Sequence, residues 1–299
     1  MRNIRSGAKV RRNVSNAFIY ILLIVISVIW VFPFFYLIIQ SLSTSASTRN
    51  VIPNWPYPNT TPDQFTFDNF VYLFSGESIN NGFLRWYLNT LLIAVVVAVL
   101  QTIIVLMVSY SLSRLRFKGR VGLMKFMLIV TMFPGFLGMI CIYNLLKAIG
   151  LNTSVFGLML VYVSGSATGY YISKGFFDTI TKSLDEAAMI DGASRNKIFW
   201  SIVLPLSKPI VIYTILTSFI GPWGDYMFAY YLLGRSTASS QTVAVGLYNW
   251  LQRASTTSEV VFFNRFCAGA VIVSIPIVIL FFFLQRYYVE GVTGGAVKG

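Results

Sequence analysis

The stretch DEAAMIDGASRNKIFWSIVLPLSKP (residues 185–209) combines charged residues, paired small residues, a central glycine and two prolines. The rest of the chain is strongly apolar. Apolar residues make up 56% of the 299 residues and charged residues only 11%, with a mean hydropathy of +0.69, whereas a soluble domain is about a quarter charged. We therefore interpret the chain as an integral membrane protein and this stretch as a polar element between two apolar spans.

Local signals within the stretch predict two short helices separated by a turn. Ser183 and Glu186 match the S-x-x-E pattern of a capping box, which predicts a helix start at Ser183. The Asp191-Gly192 pair predicts a turn. Ser194 then predicts the start of a second helix, which the following prolines end before the next apolar run.

The residues alone leave two interpretations of this helical pair open. The small side chains of Ala187 and Ala188 allow another backbone to approach closely, which suits insertion into a groove on a soluble partner. Alternatively, the segment is a plain amphipathic connector in which Glu186 acts only as a capping carboxylate.

Six apolar runs are long enough to cross a bilayer as helices. They are residues 17–41, 87–112, 123–148, 153–177, 210–233 and 265–287. With the N-terminus placed in the cytoplasm, 17 of the 23 Lys and Arg residues lie in inside segments, as the positive-inside rule requires. Both termini are then expected in the cytoplasm. The net charge of +13 is assigned to anionic lipids and cytoplasmic partners rather than to nucleic acid.

Prolines and small residues interrupt the apolar runs. They are Pro33, Pro134, Pro222 and Pro276, and Gly135, Gly138, Gly165, Ser166 and Gly169. Kinks and close helix packing explain them in one interpretation. In the other they are hinges or line a substrate path.

Ionisable residues inside the runs are scarce. Asp225 is the sole acid in a span and lies towards the outer end of the fifth run, so it is a candidate for the translocation path or for a structural pair with a basic residue. The chain has no His, and its two cysteines, Cys141 and Cys267, are expected to be buried thiols. The sequence therefore predicts no metal site, no cofactor and no nucleophile–base pair for an enzyme.

Two of the predicted outside segments carry a pattern. In residues 42–86, a proline-rich part is followed by FTFDNFVYLF, which predicts an amphipathic piece on the membrane surface. Residues 234–264 are polar, with RASTTSE at their centre, and are expected to form a loop.

The spacing Glu186-Ala187-Ala188, three residues, Gly192, nine residues, Ile202, one residue, Leu204-Pro205 resembles the EAA motif of ABC-importer permeases. Three further segments resemble sugar-importer permeases, the last of them the MalG-type maltose/maltodextrin subunit. They are YSLSRLRFKGR (110–120), YNLLKAIGLNTSVFGLML (143–160) and QRYYVEGVTGGAVKG (285–299). The resemblance covers nearly all of the chain after residue 15.

This resemblance implies an all-α MetI-like fold, with a core of five spans preceded by an extra first helix. It divides the chain into a basic cytoplasmic N-terminus (1–16), a six-helix permease domain (17–287) with coupling helices at 178–209, and a glycine-rich tail (288–299). The implied partners are a second, MalF-like permease, two ABC ATPase subunits and an extracellular sugar-binding protein. The implied location is the inner membrane of a bacterial or archaeal cell.

The resemblance also assigns roles to particular residues. ATPase coupling falls to Glu186, Ala187, Ala188, Asp191 and Gly192. Contact with the binding protein falls to an outside loop with Arg253, Ser255, Thr256, Thr257 and Glu259. Contact of the tail with the ATPase falls to Gly294, Gly295 and Lys298.

The energy source must lie on another chain, because the sequence has no G-x-x-x-x-G-K-[ST] loop for ATP. The resemblance implies an oligosaccharide substrate, maltose or maltodextrin first. Another sugar, a uronate oligosaccharide or a polyol remains an alternative. A secondary transporter is a further alternative, which the single intramembrane acid does not favour.

Overall fold

The computed structural model describes residues 2–44, 65–75, 82–234, 237–257 and 260–294, and within them the chain is helical apart from connections and one isolated bridge between Ser43 and Phe65. The helices are α1 (Arg2–Ser41), α2 (Asp68–Leu73), α3 (Phe83–Arg114), α4 (Arg120–Thr131), α5 (Gly135–Ala148), α6 (Val155–Ser164), α7 (Ala167–Thr179), α8 (Lys182–Ile190), α9 (Arg195–Ile198), a π turn (Phe199–Val203), α10 (Leu204–Leu206), α11 (Lys208–Gly224), α12 (Met227–Leu233), a 3₁₀ turn (Ala238–Ser240), α13 (Val243–Thr257) and α14 (Val260–Gly294).

Four helical segments of the described residues are long and apolar enough to cross a membrane: Ser15–Ser41, Phe83–Arg114, Val155–Thr179 and Val261–Gln285. Two bent helix pairs raise the number to six if each is one span: Arg120–Thr131 with Gly135–Ala148, bent by 103°, and Arg195–Leu206 with Lys208–Gly224, bent by 85°. This range includes the six spans predicted from the apolar runs.

Three of those runs are interrupted inside the predicted span, and the sequence had offered kinks or hinges as one interpretation of their prolines and small residues. The third run breaks before Pro134, which precedes the first residue of α5 and has no N–H to continue a helix. The fourth breaks at Gly165 and Ser166, between α6 and α7. The fifth ends its first helix at Gly224, and Asp225 begins a new turn. Helix-breaking residues therefore interrupt these spans without removing them as candidates for crossing the membrane.

The chain divides into two compact units, residues 1–73 with 250–272 and residues 74–249 with 273–299. In the second unit, α3 packs against α6, α7 and α11. Polar side chains on the buried face of α3 donate hydrogen bonds to backbone carbonyls that lack a helical partner where a neighbouring helix breaks. The amide of Gln101 donates to the carbonyl oxygens of Tyr162 (2.8 Å) and Gly165 (3.1 Å). One straight helix thus holds the irregular backbone around it, which a membrane interior tolerates only when such groups are paired.

In the first unit, α2 is anchored to the end of α1. The buried Asn69 side chain donates to the carbonyl oxygens of Ser41 (2.9 Å) and Ser43 (3.0 Å). Asn264 donates to the same Ser43 oxygen and accepts from Gln40. The aromatic run is therefore a short helix with a defined buried side, while its position on a membrane surface stays a prediction.

Two further expectations are corrected. The polar segment 234–264 is not all loop, because residues 243–257 form α13 around the buried side chains of Val243, Leu247 and Trp250. Cys267 is buried as expected, but Cys141 is exposed; both thiols are free. Cys141 lies on α5, which buries only Leu146 within the chain.

Candidate functional site

Gly192 ends α8 in a Schellman turn. Its φ is +79°, a left-handed conformation that glycine adopts without a Cβ penalty. The N–H of Ala193 donates to the carbonyl of Ala188 (2.9 Å), and the N–H of Gly192 donates to that of Met189 (3.1 Å). These two bonds satisfy the last carbonyls of the helix. The predicted turn at Asp191-Gly192 is confirmed.

The predicted capping box at Ser183 and Glu186 is wrong. The helix begins at Lys182, and Thr181 is its N-cap without a side-chain hydrogen bond. Because the helix starts one residue earlier than predicted, Ser183 lies inside its first turn and cannot act as the cap. Glu186 is exposed and is therefore not needed to begin α8.

The second short helix begins as predicted. The hydroxyl of Ser194 accepts from the backbone N–H of Lys197 (3.3 Å). The helix then continues through the π turn Phe199–Val203 to Leu206. Pro205 lies within this last part, and Pro209 lies in the first turn of α11 rather than ending the preceding helix, because a proline needs no N–H partner at a helix start.

An ion pair that the sequence did not predict fixes α8 to α3. Arg114, the last residue of α3, places Nε 3.3 Å from Oδ2 of Asp185, and the side chains are 2% and 11% exposed. Nη2 of Arg114 also donates to the carbonyl of Ile180 (2.7 Å). The sequence did contain a signal for a buried position at Asp185. This acid lies three residues before Ala188, and residues three apart share a helix face. Asp185, not Glu186, is the carboxylate that anchors this helix.

An apolar core lies beneath the two short helices. Ala188 packs in one cluster with Ile198 and Phe199 from the second helix and Tyr110 from α3. The hydroxyl of Tyr110 also donates to the carbonyl of Arg195 (3.3 Å). Both short helices are therefore attached to the same end of α3.

The opposite side of α8 has no cover within the described residues. Leu184 is 44% exposed and Ile190 is 87% exposed, and Ala187 between them is also exposed. Glu186 and Asp191 flank this apolar strip and are exposed as well. A short helix with an apolar strip and two carboxylates can dock into a groove on another protein.

A cavity of about 550 Å³ lies in the second unit, where the broken spans meet. Its wall includes residues that the sequence marked as kinks or a path: Gly135, Gly138, Gly165, Ser166, Gly169, Pro222 and Asp225. Val97 and Gln101 of α3 contribute to the same wall. A Cβ added at Gly135 or Gly138 would meet no atom within 4 Å. Close packing within this chain therefore does not explain these two glycines, and an open cavity wall does.

The sequence left open that Asp225 pairs with a basic residue, but its carboxylate accepts hydrogen bonds from neutral groups instead. Its Oδ2 accepts from the hydroxyl of Tyr162 (2.7 Å), and its Oδ1 accepts from the backbone N–H of Phe228 (3.0 Å). Among the described residues no Lys or Arg pairs with it. The carboxylate thus caps α12 and faces the cavity at the same time. Tyr162 was not predicted, since it lies 63 residues away in sequence.

The predicted binding-protein loop is partly helical. Arg253, Ser255, Thr256 and Thr257 belong to the last turns of α13, where the hydroxyls of Ser255 and Thr256 bond to the carbonyl of Gln252 (2.9 Å each). The loop conformation predicted for these four residues is therefore wrong, because the helix that buries Val243, Leu247 and Trp250 continues through them. Glu259 lies outside the described residues.

The predicted tail contact is described only at its start. Gly294 is the last residue of α14. Gly295 and Lys298 lie outside the described residues.

Comparison with known proteins agrees with this geometry. The family described as "Binding-protein-dependent transport system inner membrane component" matches residues 106–294. The chain is 36% identical to the maltodextrin transport system permease protein MdxG of Bacillus subtilis, over 98% of this chain and 100% of that one. It is 35% identical to the galactooligosaccharides transport system permease protein GanQ of the same species, over 97% and 98%.

A solved structure shares the fold. It is a bacterial ABC transporter involved in the import of the acidic polysaccharide alginate, aligned with a TM-score of 0.72 and 23% identity over 90% of this chain and 94% of that one. With the EAA spacing, the broken spans and the family match together, the chain belongs to the binding-protein-dependent transport system inner membrane components, the multi-pass permease subunits of ABC importers.

Proposed function

We propose that this chain is one of two permease subunits in an ATP-driven importer of oligosaccharides, with maltodextrin as the first candidate. The observation that carries the proposal is that one helix, α3, joins the two functional regions. Its C-terminal residue, Arg114, holds α8 through Asp185. Three turns earlier, Gln101 lines the cavity and pairs the carbonyls at the α6–α7 break.

The coupling step follows from this connection. A partner ATPase binds the exposed strip of α8, with Ala187, Glu186 and Asp191 at the contact and Gly192 forming the turn that lets the two helices enter a cleft. Ala188 is buried, so it serves the attachment to α3 rather than the docking surface. When the ATPase closes, α8 moves with it, and the buried ion pair transfers the displacement to α3. The cavity wall then moves with α3 and opens towards alternate sides of the membrane.

The other subunits follow from the same proposal. ATP is hydrolysed by two ABC ATPase subunits, so this chain is a transport subunit and not an enzyme. A MalF-like permease supplies the other half of the pathway, and an extracellular binding protein delivers the sugar to the surface with Arg253, Ser255, Thr256, Thr257 and Glu259. The tail with Gly294, Gly295 and Lys298 contacts the ATPase pair.

The proposed topology is that of an inner-membrane protein of a bacterial or archaeal cell with both termini in the cytoplasm. The basic segment 1–16 precedes a permease domain at 17–287, which carries the coupling helices at 178–209, and a tail at 288–299 follows. Basic residues near the inner surface contact anionic lipids.

Reconstitution of the complete importer tests this function. The two permeases, the ATPase and the binding protein are placed in proteoliposomes, and ATP hydrolysis and uptake are measured with a panel of maltodextrins, galactooligosaccharides, uronate oligosaccharides and polyols. We expect maltodextrin to stimulate both activities. Galactooligosaccharide is the second candidate, favoured by the similarity to GanQ. A complex that no carbohydrate of the panel stimulates would contradict the proposed function.

A further inference from the structure

The cavity wall is largely apolar and carries a small number of polar side chains, a composition that suits a site for an uncharged molecule. Hydroxyl and amide side chains from four helices line it: Gln101 on α3, Tyr162 on α6, Thr168 on α7, and Tyr213, Thr217 and Ser218 on α11. No Lys or Arg is among the described residues that line it. A volume of about 550 Å³ lies within the range of about 300–1,000 Å³ that small-molecule sites occupy.

Asp225 gives this wall its single formal charge. Each of its carboxylate oxygens accepts one hydrogen bond, from Tyr162 and from the backbone of Phe228. A carboxylate has about four lone-pair positions, so two further donors can bind. Both existing partners are neutral, and they orient the group without cancelling its charge.

The shape of the wall supports access to this carboxylate. A Cβ built at Gly135, Gly138 or Gly221 would meet no atom within 4 Å. All three glycines line the cavity. No packing contact among the described residues therefore requires glycine at these positions, and the absence of side chains there leaves this part of the wall open.

Resting on the proposed function, we propose that this chain itself carries a sugar subsite in the cavity, at which Asp225 accepts hydroxyl hydrogens of a neutral oligosaccharide. Hydrogen bonds to a charged acceptor are about twice as strong as those between neutral groups. The same charge excludes uronate oligosaccharides. A substrate carboxylate would meet a fixed negative charge with no basic residue in the described wall to compensate it, and like charges at low dielectric repel strongly.

The test measures sugar binding to the assembled importer without its binding protein, so that selectivity of the binding protein does not enter. The two permeases and the ATPase are reconstituted in nanodiscs. Maltotetraose and tetragalacturonate are added in separate samples, and the binding of each sugar is measured by saturation-transfer NMR. We expect a signal for maltotetraose and none for tetragalacturonate. Asp225→Asn should raise the apparent Kd for maltotetraose about tenfold, as loss of a charge-assisted bond implies, and should admit tetragalacturonate.

Two variants control this experiment. Asp68→Asn removes the same charge from an exposed position on α2 and should leave both results unchanged. Tyr162→Phe keeps the charge of Asp225 but removes one donor, so it should still exclude tetragalacturonate. It provides the comparison if Asp225→Asn does not assemble.

Three results would overturn the proposed subsite. The unmodified importer could bind both sugars equally, it could bind neither, or Asp225→Asn could leave the Kd for maltotetraose unchanged. Uptake driven by the binding protein is measured on the same preparation. Transport of maltotetraose without binding in the nanodisc would remove the subsite while leaving the proposed function intact. Loss of transport with every carbohydrate tested would remove the proposed function itself.

Discussion

Gly192 is the residue whose backbone most directly limits what can replace it. Its φ of +79° costs a residue with a Cβ roughly 1–2 kcal/mol, and a β-branched residue is the least suited to it. A Cβ there would meet no atom of this chain within 4 Å. A substitution therefore acts through the backbone or through the docked partner, not through packing inside the permease.

We predict that Gly192→Val uncouples transport, whereas Gly192→Asn retains most of it. Both variants add a side chain to the same open space, but asparagine tolerates positive φ and valine does not. Sugar uptake per ATP hydrolysed, together with co-purification of the ATPase, measures the effect. Equal loss in both variants would assign the defect to steric exclusion from the partner's cleft instead of to the turn.

The ion pair between Arg114 and Asp185 gives a second prediction at this scale. Removing one partner of a buried pair leaves an uncompensated charge and costs about 3–5 kcal/mol. Arg114→Gln and Asp185→Asn should each destabilise the subunit by about this amount and lower uptake per ATP. The double variant should be less impaired than the sum of the two, because no lone charge remains.

The pair Lys174 and Asp178 is the matched control. Its atoms lie at 2.5 Å and the two side chains are 14% and 43% exposed, so it is closer to solvent than the Arg114–Asp185 pair, and surface i,i+4 pairs contribute only about 0.3–0.5 kcal/mol. Without Lys174, Asp178 still accepts a hydrogen bond from Ser113. Lys174→Gln should therefore change thermal stability and coupling little. Additive losses in the Arg114 and Asp185 variants would show that the two side chains do not act as a pair.

Sequence reasoning identified some local features, although the local capping box at Ser183 and Glu186 was wrong, and it missed the partners that lie far away in the sequence. The turn at Gly192 and the cap at Ser194 depend on neighbours within five residues. The partner of Asp185 is 71 positions away, at Arg114, so no local pattern could reveal it. Asp225 was found because it is an isolated acid in an apolar run, but its partner Tyr162 was not.

At the scale of elements, the departures from prediction follow from backbone groups rather than from hydropathy. Apolar runs gave the approximate position of each span, because the bilayer imposes a length. Pro134 and Gly165 marked two of the breaks in the sequence, but no local pattern showed that Gln101 donates to the carbonyls of Tyr162 and Gly165 at the α6–α7 break. Helix α13 was missed because its short apolar pattern lies outside any membrane-length run.

Helix α13 gives the prediction for the binding-protein contact. If the side chains at its end form that surface, Arg253→Ala with Thr256→Ala should lower uptake at limiting binding protein while the importer still assembles. Alanine favours the helix, so the conformation of residues 253–257 is kept. A second double variant, Ser255→Gly with Thr256→Gly, instead weakens the helix, because glycine is less favourable than alanine in a helix by about 1 kcal/mol per residue. A loss confined to the glycine variant would indicate that the helix, and not its side chains, is required.

At the scale of the whole molecule, much of the apolar surface of the described residues is not covered by other described residues. In Ser15–Ser41, no residue of the apolar 18-residue segment that marks it as a candidate span is buried. At the bend before α5, Met132 and Phe133 are 79% and 66% exposed. Lipid can cover the apolar helices, whereas in the proposed function protein partners cover the cavity and the exposed strip of α8. The family assignment and the fold are thus those of one subunit, whose activity depends on an assembly.

The last prediction concerns the chain without its partners. It has no G-x-x-x-x-G-K-[ST] loop and no His, and Asp225 is the sole acid in the cavity wall among the described residues, so we expect neither ATP nor a proton relay to supply energy to it alone. Purified alone in proteoliposomes, it should show neither ATP hydrolysis nor oligosaccharide uptake under a proton or sodium gradient. Adding the second permease, the ATPase and the binding protein should give ATP-dependent uptake that survives an ionophore. Gradient-driven uptake by the chain alone, abolished by that ionophore, would favour a secondary transporter and would contradict the coupling role of α8.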